Sequence, residues 1–98
     1  MSRYAAAMEG RPRMMRIGEL GRRVGVSTHV LRAWEARYGL LRPTRSTSGY
    51  RLYGPDDEER IREVLRLRSD GVPASEAADH VLSAERAGSF APSTQAIP

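Results

Sequence analysis

Only two residues, Gly25 and Val26, separate the expected end of one helix from the cap of the next. Upstream of them Ile17, Leu20 and Val24 fall at i, i+3 and i+7 and form one apolar stripe, which predicts a helix over Ile17–Val24. Gly25 stands where a left-handed residue closes a helix. Ser27 is a natural N-cap, and behind it Val30, Leu31, Trp34 and Tyr38 make a second helical stripe. Helices joined this tightly must turn sharply, so the chain is constrained to a helix-turn-helix.

Gly39 ends the second helix. Leu40–Arg45 and Tyr50–Tyr53 read as extended, with the polar turn Ser46-Thr47-Ser48-Gly49 between them, which predicts a hairpin. Pro43 makes the first strand an edge, because proline has no N–H to donate to a ladder. A third helix opens with Pro55 at its first position and Asp56, Asp57, Glu58 and Glu59 at the positive end of its dipole. Its expected buried face is Ile61, Val64, Leu65 and the stem of Arg68, and it stops at Asp70-Gly71. A short fourth helix uses Ala74, Ala77, Ala78, Val81 and Leu82, whose small side chains imply close helix–helix approach. The expected fold class is mainly α: a winged helix-turn-helix with four helices and a small β-hairpin wing. One domain is expected over residues 15–82. Residues 1–14 read as a flexible N-terminal arm and residues 83–98 as a disordered tail or linker.

Composition excludes more than it selects. A chain of 98 residues holds at most one domain of this size. The absence of cysteine excludes disulfides and thiolate metal sites, and two histidines, His29 and His80, cannot make a metal site by themselves. No apolar run is long enough for a membrane helix, and the N-terminus lacks the apolar core of a secretory signal, so a cytoplasmic location is the default expectation. Nothing resembles a phosphate loop or a nucleophile with its base; dipole complementation accounts for the acidic run, and no enzyme is expected. The formal net charge is +4, and all sixteen basic residues are arginine. GC-rich coding, to which the wealth of Ala and Gly also points, explains that count as well as phosphate recognition does. Only the positions of the arginines carry an argument.

Those positions do. With Val30, Leu31, Trp34 and Tyr38 facing inward, the second helix turns Thr28, His29, Arg32, Glu35 and Ala36 outward. Arg32 is the first candidate for a DNA groove, with Thr28 and His29 at the helix end that meets bases or backbone first. Trp34 belongs to the core. Glu35, a poor neighbour for phosphate, is expected to pair with Arg37 or Arg51 and hold the hairpin against the helix. The hairpin carries Arg42, Arg45 and Arg51 among short hydroxyl donors, a set suited to the DNA backbone. Of Tyr50 and Tyr53, one is expected to pack against the helices and the other to offer its hydroxyl to a phosphate.

The segments RIGELGRRVGVS, LRAWEARYGLL and GYRLY, followed by a helix opening with acids, together resemble the N-terminal DNA-binding domain of the MerR family of transcriptional regulators. The resemblance covers about Met15–Leu82. Its WExRYG form looks most like the branch that contains cobalamin-dependent light-responsive repressors and curli-type regulators. It implies double-stranded DNA as the partner, with Arg32 in the major groove, Arg51 on a phosphate, and Arg22 or Arg23 on the backbone beside the first helix. The last two helices would form a second wing. It further implies self-association on near-palindromic sites and contact with RNA polymerase at promoters. Cobalamin or another effector would enter only through a C-terminal domain, and no cofactor is expected in this chain. Four departures stand out: Arg16 in place of a capping Thr or Ser, Ala33 in place of an aromatic, Gly54 and Pro73 at the later caps, and no long helix after Leu82. The chain is therefore expected to be a fragment of a larger regulator or a stand-alone domain. The alternatives to a sequence-specific regulator are an architectural, excisionase-like protein assembling cooperatively on repeats, and a protein-interaction module that kept the fold and lost DNA binding.

Overall fold

A computed structural model describes residues 13–88. The expected arm, Arg3 and Arg11 included, lies outside these residues except for Arg13 and Met14, as does the expected tail beyond Gly88. The elements run α1 (Ile17–Val24), α2 (Thr28–Tyr38), β1 (Thr44–Arg45), β2 (Arg51–Leu52), α3 (Pro55–Ser69) and α4 (Ala74–Ala87). This is the mainly α, winged helix-turn-helix architecture read from the sequence.

The turn between α1 and α2 is fixed by two glycines for different reasons. Gly25 adopts φ 74°, the left-handed conformation that lets its N–H reach back to the Gly21 carbonyl. Gly21 is needed for space: a Cβ there would stand 2.6 Å from the carbonyl oxygen of Val26. Ser27 then caps α2 by accepting from the Val30 N–H at 3.2 Å. Arg16 precedes α1 without a side-chain cap.

Leu20 and Val24 of α1, Leu31 and Trp34 of α2, Leu40 and Leu41 of the following segment, Ile61 and Val64 of α3, and Ala77, Ala78 and Val81 of α4 share one core. Each of the large aliphatic side chains contributes about 1.5–3 kcal/mol by leaving water. Ala77 and Ala78 are buried, and α4 packs more extensively on α3 than on any other element. Small side chains permit that approach.

Three expectations are corrected. The extended segments are shorter than their patterns, because Leu40 and Leu41 are drawn into the core before the chain reaches β1. The register is antiparallel, Thr44 opposite Leu52 and Arg45 opposite Arg51, and Tyr53 pairs with Met15 through two backbone hydrogen bonds of 2.7 and 2.8 Å. Arg68 is exposed and its stem adds nothing to the α3 stripe. The largest difference is at α4, which runs past Leu82 to Ala87 and ends at Gly88 in the left-handed conformation. Glu85 continues the face of Ala77, Ala78 and Val81, and its carboxylate is held by ion pairs where an apolar side chain would otherwise pack.

Candidate nucleic-acid interface

The hairpin leaves the core at Arg42 and returns at Gly54, and both ends hang on one carboxylate. Asp57 accepts from the Arg42 N–H at 2.8 Å and from the Gly54 N–H at 2.9 Å. The second contact is half of a capping box, made at the N-cap of α3 by the residue three positions on. Asp57 also accepts from Arg60 Nη2 at 2.6 Å. Arg60 is 2 % exposed, yet each nitrogen of its guanidinium is answered: besides Nη2, Nε donates to the Leu40 carbonyl at 2.7 Å and Nη1 to Glu85 Oε2 at 2.9 Å. Among the described residues no buried side-chain polar atom lacks a partner. The acidic start of α3 thus does more than complement the helix dipole.

On the hairpin, each expected DNA-facing arginine already has an acceptor. Arg42 Nη2 donates to Glu85 Oε1 at 3.0 Å, Arg45 Nη1 to the Gly49 carbonyl at 3.1 Å, and Arg51 Nη1 to Glu35 Oε2 at 3.1 Å. All three remain exposed. The pairing expected of Glu35 is found with Arg51 rather than Arg37, and its other oxygen accepts from the Tyr53 hydroxyl at 2.8 Å. Of the two tyrosines, Tyr53 is the one that packs. It is 2 % exposed with its hydroxyl committed, so Tyr53 is removed from the set of surface contacts. Burial first, and then the hydrogen bond to Glu35, push that hydroxyl above its ordinary pKa. Tyr50 is exposed, with the Arg16 guanidinium stacked 4.0 Å from its ring centroid. Arg16 leaves α1 without a side-chain cap, as the sequence implied, and its guanidinium reaches the hairpin instead.

On the helix-turn-helix, Arg22, His29 and Arg32 are exposed, and none has a hydrogen bond or ion pair among the described residues. Arg22 and Thr28 line one open groove with Gly18, Gly21, Gly25 and Ser27, which brings the first helix's arginine to the start of the second. Arg23 behaves differently. Its Nε donates to Glu58 at 3.0 Å, and Arg62 donates to the same carboxylate and to the Arg23 carbonyl, which ties α1 to α3. Burial opposes the charge on Glu58, but the bonds from Arg62 and Arg23 outweigh it and hold the carboxyl below its usual value.

What the sequence reading missed is the Asp57–Arg60–Glu85 set. Asp57 and Arg60 fall at i and i+3 on the same stripe as Ile61 and Val64. An acid–base pair set into an apolar stripe was the available signal. Among the described residues no helix is long and apolar enough to cross a membrane.

Residues 15–84 match the family of MerR HTH regulatory proteins. The HTH-type transcriptional regulator MlrA of Escherichia coli (strain K12) is 44% identical over 59 residues, 60% of this chain and 24% of its own. The HTH-type transcriptional repressor CarH of Myxococcus xanthus is 42% identical over 66 residues, 67% of this chain and 22% of its own. The HTH-type transcriptional regulator HmrR of Rhizobium leguminosarum bv. viciae is 37% identical over 62 residues, 63% of this chain and 47% of its own. The chain thus spans about a quarter of the length of MlrA and CarH. With the turn, the hairpin and the match over residues 15–84 in agreement, this chain belongs to the MerR HTH family of regulatory proteins.

Proposed function

We propose that the domain binds double-stranded DNA sequence-specifically in transcriptional regulation, with α2 in the major groove and the hairpin on the phosphate backbone. One observation carries the reading: unpaired guanidiniums on the helix-turn-helix stand beside a hairpin whose arginines are exposed and joined to α2 through Glu35. Arg32 with Thr28 and His29 supplies the side chains for base edges, and Arg22 with Arg42, Arg45, Arg51 and Tyr50 those for the backbone. The relatives' names, regulators and a repressor of the HTH type, agree with this chemistry. A single domain reads one half-site, so a second copy on the DNA would supply the other half. Contact with RNA polymerase at promoters belongs to the same proposal.

The test is a DNA titration of two variants across a range of salt. Arg51→Ala is expected to weaken all sequences about equally and to make log K fall less steeply with log salt, by about one unit. Arg32→Ala is expected to reduce the preference for the selected site by about 1–3 kcal/mol. If both variants keep wild-type affinity and salt dependence, the DNA-reading assignment is wrong.

A further inference from the structure

Glu85 has no part in that reading, since it lies on α4, outside both the turn and the hairpin. Its bonds nevertheless lead to the hairpin by two routes. One is direct: Oε1 takes the Arg42 guanidinium at 3.0 Å. The other runs through Arg60, whose Nη1 donates to Glu85 Oε2 at 2.9 Å while its Nη2 donates to Asp57 at 2.6 Å. Asp57 in turn carries the amides of Arg42 and Gly54, where the hairpin begins and ends.

We propose that Glu85 is a positioning residue for the wing, setting through Arg60 and Arg42 where the hairpin arginines stand against the DNA backbone. The proposal rests on the DNA-binding reading and deepens it. Buried hydrogen-bonded charges tolerate few arrangements, because an unanswered charge in the interior is costly. Glu85 therefore holds the hairpin base in one place, while α2 packs on α4 by another route. The two helices make contacts of their own, beside a groove lined by Arg37, Tyr38, Ser75, Ala78, Asp79 and Leu82 that does not include Glu85. Displacing the last turn of α4 thus bears first on the hairpin base, through Glu85.

The experiment compares Glu85→Gln with Val81→Ala in the full chain, each measured well below its Tm. Binding is titrated across a range of salt on a duplex selected from a randomised pool and on a mixed-sequence duplex. Glu85→Gln releases Arg42 but also lets the whole hairpin base move, and the second effect is expected to dominate: log K falls less steeply with log salt, by about one to two units, on both duplexes, with the ratio of their affinities unchanged. Val81→Ala removes core packing from the same helix but leaves the ionic set intact, and it is expected to lower Tm with the wild-type salt dependence. Arg60→Lys, which keeps the buried charge but has one nitrogen where Arg60 uses three to span its acceptors, is expected to reproduce the Glu85→Gln result and serves if that variant does not fold. An unchanged salt dependence in Glu85→Gln overturns the proposal. So does a collapse of the affinity ratio like that expected of Arg32→Ala, or an equal change in Val81→Ala. A wild-type chain that binds neither duplex fails differently: it removes the DNA-binding reading itself, and this proposal with it.

Discussion

The helix-turn-helix and the hairpin both carry arginines, but they are placed by different forces. α1 and α2 are held by packed side chains, with Leu20, Val24, Leu31 and Trp34 in the core, and by the glycine turn and the Ser27 cap. Arg22 and Arg32 are left with nothing to hold and no partner among the described residues. The hairpin has only two residues in each strand; Tyr53 fixes its end in the core and against Met15, and charge places the rest, with Asp57, Arg60 and Glu85 at its base and Glu35 at its side. Its arginines are occupied before any DNA arrives. A phosphate competes for them with carboxylates and a carbonyl, whereas on the helix-turn-helix DNA meets guanidiniums free of intramolecular bonds among the described residues. Hairpin contacts should therefore yield to substitution of neighbouring acids, while helix contacts should yield to changes in packing.

The most damaging way to test this contrast is Arg60→Met. It leaves Asp57 and Glu85 facing each other across a largely buried space without their shared cation. Removing one member of a buried pair costs about 3–5 kcal/mol, a large part of the stability of so small a domain. Urea unfolding at neutral pH measures it. A loss below about 1 kcal/mol would mean that the hairpin is not held by this set. On the helix side the counterpart is Gly21→Ala. The added Cβ meets the Val26 carbonyl, which is backbone and cannot swing aside, so the α1–α2 angle must open. The expected cost is about 1–3 kcal/mol, with a loss of sequence preference and a change in salt dependence no larger than the one contact of Arg22 accounts for. A fall in salt dependence with sequence preference kept would show that the two regions are not separable.

These two substitutions also mark where the sequence was legible. Gly21, Gly25, Ser27 and the stripes around them are local signals, since caps and turns depend on residues within a few positions. The bounds of α1, α2 and α3 follow from such signals and agree with the structure. The end of α4 does not, because what carries the helix past Leu82 is Glu85 bonded to Arg60, 25 residues away. Arg60 was hidden for the same reason. In the run Asp56 to Arg60 an arginine reads as solvated, and only the fold brings the Leu40 carbonyl to it. Among the candidate residues, the exposure of Arg32 followed from helical phase, and the Arg51–Glu35 pair from expecting the hairpin beside α2. Tyr53 and Tyr50 could not be told apart until one was paired with Met15 and the other left in solvent.

A smaller effect separates the side contact of the hairpin from its base. Glu35→Gln keeps an acceptor for the Tyr53 hydroxyl but removes the charge opposite Arg51. The pair is exposed on the arginine side, so the stability change is expected to stay at about 0.2–1 kcal/mol. Binding should change more than stability does. Freed of its counter-charge, Arg51 is available to phosphate on every sequence, so non-specific affinity rises and the ratio of specific to non-specific affinity falls. Parallel titrations of a selected and a mixed-sequence duplex measure both; an unchanged ratio would leave Glu35 with no role beyond the fold.

The smallest expected effect lies on the helix side, where Arg23 is the arginine that is not free. Glu58 holds it together with Arg62, and those two bonds keep the Glu58 carboxyl below its ordinary value of 4.5. A folded-state pKa lower than the unfolded one means that the folded chain binds fewer protons. The stabilisation is therefore fully present above the ordinary carboxylate range and is lost as pH falls through the depressed value. Glu63, lowered by its bond to Arg66, adds to the same acid limb, whereas Tyr53, raised, contributes stability that is lost only as pH climbs above 10.0. Glu58→Gln should flatten the fall in stability below pH 4.5 and leave the neutral-to-alkaline limb as it was. Urea midpoints across pH measure this. If the acid limb keeps its wild-type slope, the α1–α3 tie is not ionic. Arg23 would then count with Arg22 and Arg32 as a guanidinium free for DNA, and the contrast between the two regions would have no exception.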